Sequence, residues 1–307
     1  MQKEIQKEIV ALNYILELYK INSRSKAKEY FKRGEVYCNG KKFTNFNQVF
    51  MPGDKIDIQK SIPTDENAPF QILYEDKQFI LVIKPAGVVS AGEVPKGTNI
   101  FWKLVDKYFR SRFKNPCRVL LVHRLDKEVA GIMIFAKSHE MQEYLKNNWG
   151  SVSKIYYALS SKKPAQSEGI LENWLEEGDE QKMMIVENPL KDEKLAVLKY
   201  KVVRSVKQNT LFEIQLETGR KHQIRLQLAN IGCPIIGDRK YGSDHQPDRQ
   251  IRLFAAKFAF DHPILKKRIS VEVKLPNSFF QVFDENEDYK NPSNFQRKYL
   301  FDLKMMS

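Results

Sequence analysis

Short apolar runs separated by turn residues constrain the fold of this 307-residue chain more than any other feature. FILVIK (79–84), GIMIFAK (131–137) and KIYYAL (154–159) are each typical of a buried β-strand. LAVLKYKVV (195–203) and TLFEIQLE (210–217) predict two further, paired strands. In the second of these, apolar residues alternate with polar ones, so one face of that strand should meet water. The middle of the chain therefore predicts a sheet.

A change of period after these strands predicts a helix. Between Lys221 and Ile231 apolar residues recur every three or four positions, and a glycine follows as a stop signal. KKRISVEVKL (266–275) predicts a late strand. Many strands and few helices are typical of an α+β domain on a mixed, largely antiparallel central sheet. We expect this domain to span residues 70–275, with a C-terminal extension at 276–307.

The first 60 residues predict a separate small domain that begins with two helices. Apolar residues at helical spacing predict the first helix, and these residues are Ile5, Ile9, Leu12, Leu16 and Tyr19. Ser23 or Ser25 can cap a second helix that runs to about Arg33, where a glycine can end it.

Two strand signals complete this domain. EVYCNGKK (35–42) predicts a strand, an Asn-Gly turn and a second strand. PGDKIDI (52–58) predicts a turn followed by a short strand. The polar, proline-bearing stretch 61–69 has no periodicity, so we interpret it as a linker that follows a domain at 1–60.

Charge narrows the class of partner. The net charge is +13 and the isoelectric point is about 9.4, which favours a polyanionic partner and would also attract the chain to a membrane surface. No apolar run approaches the roughly 20 residues of a membrane-spanning helix, and the charged N-terminus has no signal-peptide core. The three cysteines lie in unrelated settings, which argues against a disulfide framework and against zinc. We therefore expect a cytoplasmic protein without a metal or a membrane partner.

Three polar clusters adjoin the predicted strands, at 123–127, 154–156 and 218–225. In the first, Asp126 lies between two cations just before an apolar run. A cation from the predicted helix near Asp126 would favour its ionised form, and a fixed carboxylate can act as nucleophile or general base. Each cluster also has an ordinary reading: a surface ion pair, a core tyrosine and a solvated basic helix face. The residues alone leave these alternatives open.

Motifs in order along the chain carry a family resemblance. HRLDKEVAGIMIFAK (123–137) resembles the signature of the RluA-type pseudouridine synthases, which is close to HRLDK-x-T-S-G before an apolar strand. KPAG (84–87) and KIYYAL are similar to the early Lys-Pro-x-Gly and Lys-x-Tyr motifs of that family. TGRKHQIRLQLANIGCPIIGDRKYG (218–242) and FDHP (260–263) are similar to its later motifs. The resemblance implies the pseudouridine synthase fold across residues 70–275.

The chain departs from the family pattern in two places. Val129 and Ala130 stand where Thr and Ser are usual, and Ser90-Ala91-Gly92 stands where a His-containing segment often follows the early turn. Both departures concern loop hydrogen bonds and local RNA contacts, and they leave the aspartate, tyrosine and arginine of the motifs in place.

The resemblance also implies roles for individual residues. By position, Asp126 matches the catalytic aspartate, Tyr156 the tyrosine that stacks on the target uracil, and Arg225 the cation paired with the aspartate. Arg124 matches an arginine that helps to displace or replace the flipped base. The remaining residues expected to bind substrate are Lys84, Lys154, His222 and Leu226, the last as an apolar wall of the pocket. No cofactor is implied.

The N-terminal domain has a resemblance of its own, to the S-four (αL-type) RNA-binding domain. Residues 24–42 hold seven Lys or Arg against two Glu, so this motif is basic where RNA would lie. The expected RNA-binding residues are Arg24, Lys26, Lys28, Lys32, Arg33, Lys41 and Lys42.

Together the two resemblances predict a monomeric enzyme that isomerises specific uridines of RNA to pseudouridine. Ribosomal RNA, and its large subunit in particular, is the favoured target. A transfer RNA synthase and a non-catalytic RNA-binding or ribosome-assembly factor on the same scaffold are the alternatives. A glycoside hydrolase ranks far behind, because such enzymes need a paired acid and only Glu128 lies nearby in sequence.

Overall fold

A computed structural model provides the structure of the chain. It describes residues 3–32, 35–58, 68–92, 95, 98–112, 118–179, 182–187, 189, 193–242 and 250–283. The chain divides into two compact units, Met1–Glu66 and Asn67–Ser307. Most of the expected linker, residues 61–67, lies outside the described residues.

The first unit combines two helices with short strands. In chain order the elements are β1 (Lys3–Glu4), β2 (Ile9–Val10), α1 (Ala11–Tyr19), α2 (Arg24–Lys32), β3 (Val36–Cys38), β4 (Lys41–Lys42), β5 (Val49–Phe50) and β6 (Lys55–Ile58). Four of the strands form a sheet in the order β1-β6-β3-β4, and β2 pairs with β5. Asn39 and Gly40 both adopt positive φ, of 51° and 77°, which is the geometry of the tight hairpin turn expected between β3 and β4.

The expected first helix is too long by several residues. Ile5 and Ile9 precede α1, because β1 pairs with β6, β2 pairs with β5, and Val10 has extended dihedral angles. Ile5 is nevertheless buried in the same apolar cluster as Leu12. The helical spacing therefore arose from a strand and a helix that bury their apolar residues in one small core.

The second unit carries one large sheet and three helices in its described part. In chain order its elements are β7 (Ile72–Glu75), β8 (Phe79–Lys84), α3 (Phe101–Arg112), β9 (Leu120–Leu121), β10 (Ala130–Ala136), α4 (His139–Asn147), β11 (Ser153–Ser160), β12 (Glu168–Glu177), β13 (Met183–Val186), β14 (Lys194–Val206), β15 (Asn209–Leu216), α5 (Gln223–Asn230), β16 (Leu253–His262) and β17 (Lys267–Glu272).

Among the described residues eleven strands join in one sheet. The order is β13-β12-β14-β15-β11-β16-β10-β8-β7, with β17 on β16 and β9 on β10. The pair β10–β16 is parallel and the other pairs are antiparallel. The expected α+β class with a mixed, largely antiparallel central sheet is confirmed.

Strand β10 lies in the middle of the core. Met133 and Phe135 pack into one apolar cluster, with α3 and α5, while Ile132 and Ile134 pack into a second cluster, with α4. Because successive side chains of a strand point to opposite faces, both faces of β10 are buried. This explains the unbroken apolar run of the sequence, and it gives the loop before β10 a rigid support.

Gly131 permits the parallel pairing of β10 with β16. It has φ of 131°, and a Cβ there would lie 2.3 Å from the carbonyl oxygen of Ala255. No side chain fits that space, so a glycine is required five residues after Asp126.

Several elements of this unit escaped the sequence analysis, namely β7, α3, β9, α4, β12, β13 and β16. The expected helix at 221–231 is shorter, because α5 begins at Gln223 and the preceding His222 has φ of 54°. In the expected C-terminal extension, residues 277–283 form two short 3₁₀ turns that bury Phe279 and Phe283. Residues 284–307 lie outside the described part. None of the described helices combines the length and the apolarity that crossing a bilayer requires.

Candidate active site

The loop that carries Asp126 is fastened to the segment after β8 by Ser90. The buried Ser90 hydroxyl donates to the carbonyl oxygen of Leu125 at 2.5 Å and accepts from its amide at 3.1 Å. This serine belongs to the stretch that departs from the family pattern. Ser90 therefore supplies hydrogen bonds to this loop, a role that the sequence analysis did not predict.

Lys84, the last residue of β8, also holds this loop in place. Its side chain is fully buried, and its ammonium donates to the carbonyl oxygens of Pro85, Val88 and Lys127 at 2.9, 2.7 and 3.1 Å. Burial lowers the pKa of Lys84 to about 8, although Glu128 and Asp126 oppose the shift. Three acceptors occupy all three N–H groups of the ammonium. The expectation of a substrate contact is therefore corrected: Lys84 positions the loop around Asp126.

Asp126 meets Arg225 across the cleft. Nη1 of Arg225 donates to Oδ2 of Asp126 at 3.2 Å, and the two residues are 99 positions apart in sequence. Arg225 lies on α5 and is almost entirely buried, whereas the Asp126 side chain keeps 24% of its surface exposed. The carboxylate is thus held by a cation and still open to a ligand.

A second carboxylate, Asp238, holds Arg225 in place. Nε and Nη2 of Arg225 each donate to Asp238 at 2.8 Å, in a two-pronged ion pair. Burial alone would lower the pKa of Arg225, but the bonds to Asp238 and the charge of Asp126 outweigh it and raise the pKa. The guanidinium is therefore a permanent cation.

Asp238 was missed by the sequence analysis. Its Oδ1 also accepts from the amides of Lys240 and Tyr241, at 2.9 and 3.3 Å. The preceding Gly237 has φ of 81°, and a Cβ there would lie 2.2 Å from the carbonyl oxygen of Gln250. A Gly-Asp pair inside the long motif at 218–242 was the available signal, because it joins an obligatory glycine to a buried acid.

His222 stands between Asp126 and Tyr241. Its Nδ1 is hydrogen-bonded to the Tyr241 hydroxyl at 2.8 Å, and its Nε2 lies 3.9 Å from Oδ2 of Asp126. Burial is the main cause that lowers the pKa of His222, Asp126 opposes the shift, and nearby cations reinforce it. His222 precedes α5. The sequence analysis had predicted it on the same helix as Arg225.

Tyr156 shares the cleft with Asp126. It projects from β11, is largely buried, and lines the pocket together with Leu216 and Leu253. Burial, and secondarily the charge of Asp126, raises the pKa of Tyr156, so the phenol is neutral. A neutral ring beside a carboxylate can stack on a base.

Leu226 does not form a wall of this pocket. It packs with Leu175, Met183 and Ala196 on the far side of α5, in a separate apolar cluster. Because consecutive helical residues point about 100° apart, Leu226 cannot share the direction of Arg225. Leu216 and Leu253 supply the apolar walls instead.

The cleft around Asp126 has a volume of about 860 Å³, enough for more than one nucleobase. Arg124 lines its mouth with an exposed side chain. Lys154 lines its inner part, with the ammonium 4.8 Å from the centre of the Trp149 ring. Burial lowers the pKa of Lys154, and Glu217 opposes the shift. The described lining is therefore cationic and aromatic, and it carries two carboxylates, Asp126 and the more exposed Glu128.

The turn before α5 is organised by Gln223, a second residue without an expected role. Its Oε1 accepts from the Thr218 hydroxyl at 2.8 Å and from the Arg220 amide at 3.0 Å. These bonds shape the loop that forms one side of the cleft.

The expected RNA-binding residues of the first unit can be placed in part. Lys28 is half-buried with its ammonium 4.7 Å from the centre of the Phe46 ring. Arg33 and the side chain of Lys42 lie outside the described part. The others have exposed side chains, and they are Arg24, Lys26, Lys32 and Lys41.

Within the described ranges, no group of three or more His, Cys, Asp or Glu side chains is arranged to hold a metal ion. The cleft offers Asp126, a fixed guanidinium and a neutral phenol, and the more exposed Glu128 lies 3.8 Å from the same guanidinium. Such a site suits chemistry at a base and its sugar.

Comparisons with known proteins identify the family of this chain. A family model described as RNA pseudouridylate synthase matches residues 78–230. An uncharacterized RNA pseudouridine synthase of Synechocystis is 32% identical, covering 84% of this chain and 83% of that protein. Ribosomal large subunit pseudouridine synthase C of Rickettsia felis is 33% identical, covering 75% of this chain and 74% of that protein.

The fold has a solved counterpart as well. The structure of Human RNA Pseudouridylate Synthase Domain Containing 4 superposes with a TM-score of 0.57 at 26% identity, covering 68% of this chain and 89% of that one. This chain belongs to the family of RNA pseudouridine synthases. It is an isomerase whose substrate is RNA.

Proposed function

We propose that this enzyme isomerises specific uridines of large-subunit ribosomal RNA. The name of the Rickettsia relative supports this target, and ribosomal RNA is favoured over transfer RNA for that reason. The observation that carries the proposal is the ion pair of Asp126 with Arg225 in the cleft that Tyr156 lines.

In the proposed reaction the bond between N1 of uracil and C1′ of ribose breaks, and a bond from C5 to C1′ forms. Asp126 either attacks C1′ or removes the 2′ proton to give a glycal, and both routes need an ionised carboxylate. Arg225 places a positive charge 3.2 Å from that carboxylate. The proton lost from C5 is balanced by one gained at N1, so neither a redox partner nor a phosphate donor is consumed.

The target base must leave its stack to reach Asp126. Extrusion of a base costs a few kcal/mol. Stacking on Tyr156 returns about 1–3 kcal/mol, and phosphate contacts add to it. Arg124, at the mouth of the cleft, is placed to occupy the space that the base leaves.

The first unit is proposed to bind the same RNA, as an S-four-type domain. Four exposed cations support this role, namely Arg24, Lys26, Lys32 and Lys41. We further propose that the enzyme acts as a monomer in the cytoplasm, where its RNA is found.

Site-resolved mapping of pseudouridine tests the proposal. Deletion of the gene should remove pseudouridine at one or a few positions of large-subunit ribosomal RNA. Wild-type protein should restore them and the Asp126→Asn variant should not. Loss confined to transfer RNA would overturn the proposed target, and full restoration by the variant would overturn the role of Asp126.

A further inference from the structure

The inner part of the cleft holds a buried lysine that has no acceptor. Lys154 is 4% exposed, and the described residues provide neither a hydrogen bond nor an ion pair to its ammonium. Glu217 opposes the lowering of the Lys154 pKa, but that carboxylate pairs with Lys199 at 3.1 Å. The ammonium itself is open to the cleft, because among the described residues it is not one of the fully enclosed polar atoms that lack a partner. Because Lys154 lines the cleft, a ligand can supply an anion.

Trp149 lies beside this lysine and adds a second donor. The Lys154 ammonium is 4.8 Å from the centre of the indole ring. A Cβ on Gly219 would lie 4.0 Å from Nε1 of Trp149, so the indole nitrogen lies beside another residue of the cleft lining. The described residues offer the indole N–H no acceptor. His123, next to the ring, offers none either, because its Nε2 already accepts from the Ile134 amide at 3.2 Å.

The spacing along β11 relates this pair to the target base. Lys154 and Tyr156 are two positions apart on β11 and both line the cleft, with Cα atoms about 6.7 Å apart, and the pairing of β11 with β16 shifts register between Ile155 and Tyr156. That separation suits the distance from a nucleobase to a phosphate of the same nucleotide unit. A phosphate has several oxygen atoms, so one group can accept from both an ammonium and an N–H.

We propose that Lys154 and Trp149 form a phosphate subsite that binds a phosphate flanking the target uridine. The subsite rests on the function proposed above and adds the group that fixes the sugar–phosphate chain while Tyr156 holds the base. Its two donors are held by the protein, so it selects nucleotides over free uridine without reading the sequence.

Binding of small probes to the full chain tests the subsite. The indole N–H resonance of Trp149 is followed by NMR during titration with uridine, uridine 5′-phosphate, uridine 3′-phosphate and inorganic phosphate, and Trp149→Phe identifies the resonance. At least one nucleotide should shift it and bind about tenfold more tightly than uridine. If uridine shifts it equally and binds as tightly, the proposal is wrong. This comparison needs only wild-type protein.

Variants then separate the two donors. Lys154→Met should abolish the preference for the phosphorylated nucleotide, and Lys103→Met, on the exposed face of α3, should leave it unchanged. Trp149→Phe, assayed by calorimetry, should weaken the preference without removing it. A folded Lys154→Met protein that retained the full preference would overturn the assignment. No turnover is measured, so failure here is distinct from a failure of the proposed function, which pseudouridine mapping reports.

Discussion

Two aspartates in this molecule have similar exposure and opposite surroundings. The Asp126 side chain is 24% exposed and Asp76, in the turn between β7 and β8, is 19% exposed. Asp76 accepts from the amides of Gln78 and Phe79, both at 2.7 Å, and also from the Tyr74 hydroxyl. Asp126 receives one hydrogen bond, at 3.2 Å from Arg225, among the described residues.

His262 completes the saturated site. Its Nδ1 accepts from the amides of Ile264 and Leu265, so its Nε2 carries the proton that is donated to Asp76 at 2.8 Å. Every strong acceptor direction of Asp76 is therefore used, whereas one oxygen of Asp126 accepts no hydrogen bond from the residues that the structure describes. Saturation, and not exposure, distinguishes a carboxylate that holds the fold from one that is available for chemistry.

Exchange of each aspartate for asparagine gives the largest contrast. Asp126→Asn should lower kcat by about 10³-fold or more, because the neutral amide can neither attack nor take a proton, with little change in stability. Asp76→Asn should lower the free energy of unfolding by about 1.5–3 kcal/mol with kcat nearly unchanged, because the amide nitrogen cannot accept from Tyr74 or His262. Single-turnover kinetics and urea unfolding measure both. A stable, inactive Asp76→Asn protein would break the comparison.

Replacement of Asp238 should affect both activity and stability. Its carboxylate accepts several hydrogen bonds, and it also holds Arg225 of the active site. Asp238→Asn should lower kcat by about 10–100-fold, through misplacement of Arg225. It should also destabilise the protein by about 3 kcal/mol, since it leaves a buried guanidinium with weaker compensation. Asp261→Asn is the matched control, because that aspartate pairs with Arg268 on an exposed strand surface. Equal activity of both variants would show that Arg225 needs no anchor.

The contribution of Asp76 to the free energy of unfolding should depend on pH in the acid range. Burial alone would raise the pKa of Asp76, but the bonds from Tyr74, Phe79 and Gln78 outweigh it, so the pKa lies below its ordinary value. The unfolded chain then takes up a proton first as the pH falls, and the stabilisation by Asp76 is present above about pH 4 and lost below it. The gap in unfolding free energy between wild type and Asp76→Asn should therefore be constant at pH 5–7 and shrink below pH 4. A gap that stayed constant down to pH 3 would contradict this account.

Removal of single hydroxyls should give the smallest effects. Tyr74→Phe removes one of the bonds to Asp76 and should cost about 1 kcal/mol of stability without a change in kcat. Tyr241→Phe removes the partner of His222 and the acceptor of the Met183 amide, so it should lower kcat by a few-fold and also cost about 1 kcal/mol of stability. Thermal unfolding and initial rates suffice for both. The reverse pattern in kcat would mean that the two clusters had been assigned the wrong way round.

Much of the sheet was predictable, because β8, β10, β11, β14 and β15 bury their side chains in patterns that sequence displays directly. Helices α3 and α4 and strand β16 were missed, although each has apolar residues in the core. Ile5 and Ile9 were wrongly assigned to the first helix. They pack in the same core as α1, and their spacing from its apolar residues happens to match a helical period. The local pattern of apolar residues indicates which side chains are buried. It is a weaker guide to whether those residues lie in a helix or in a strand.

The site divides in a similar way. The pairing of Asp126 with Arg225 was expected from the family resemblance, because no local signal joins residues 99 positions apart. Lys84 and Leu226 were expected at the substrate, but burial and helix geometry place them elsewhere. Ser90 and Asp238 act through backbone amides and a neighbouring side chain, and such support becomes visible only in three dimensions.

The anchoring of Arg225 by Asp238 affects how the free energy of RNA binding can be used. Two of the guanidinium nitrogens are already fixed inside the protein, so the charged centre is complete before an RNA loop arrives. Association then does not have to order that arginine, and more of the interaction free energy is left to draw one base out of its stack. Modest overall affinity is thus compatible with efficient turnover on a large, structured RNA.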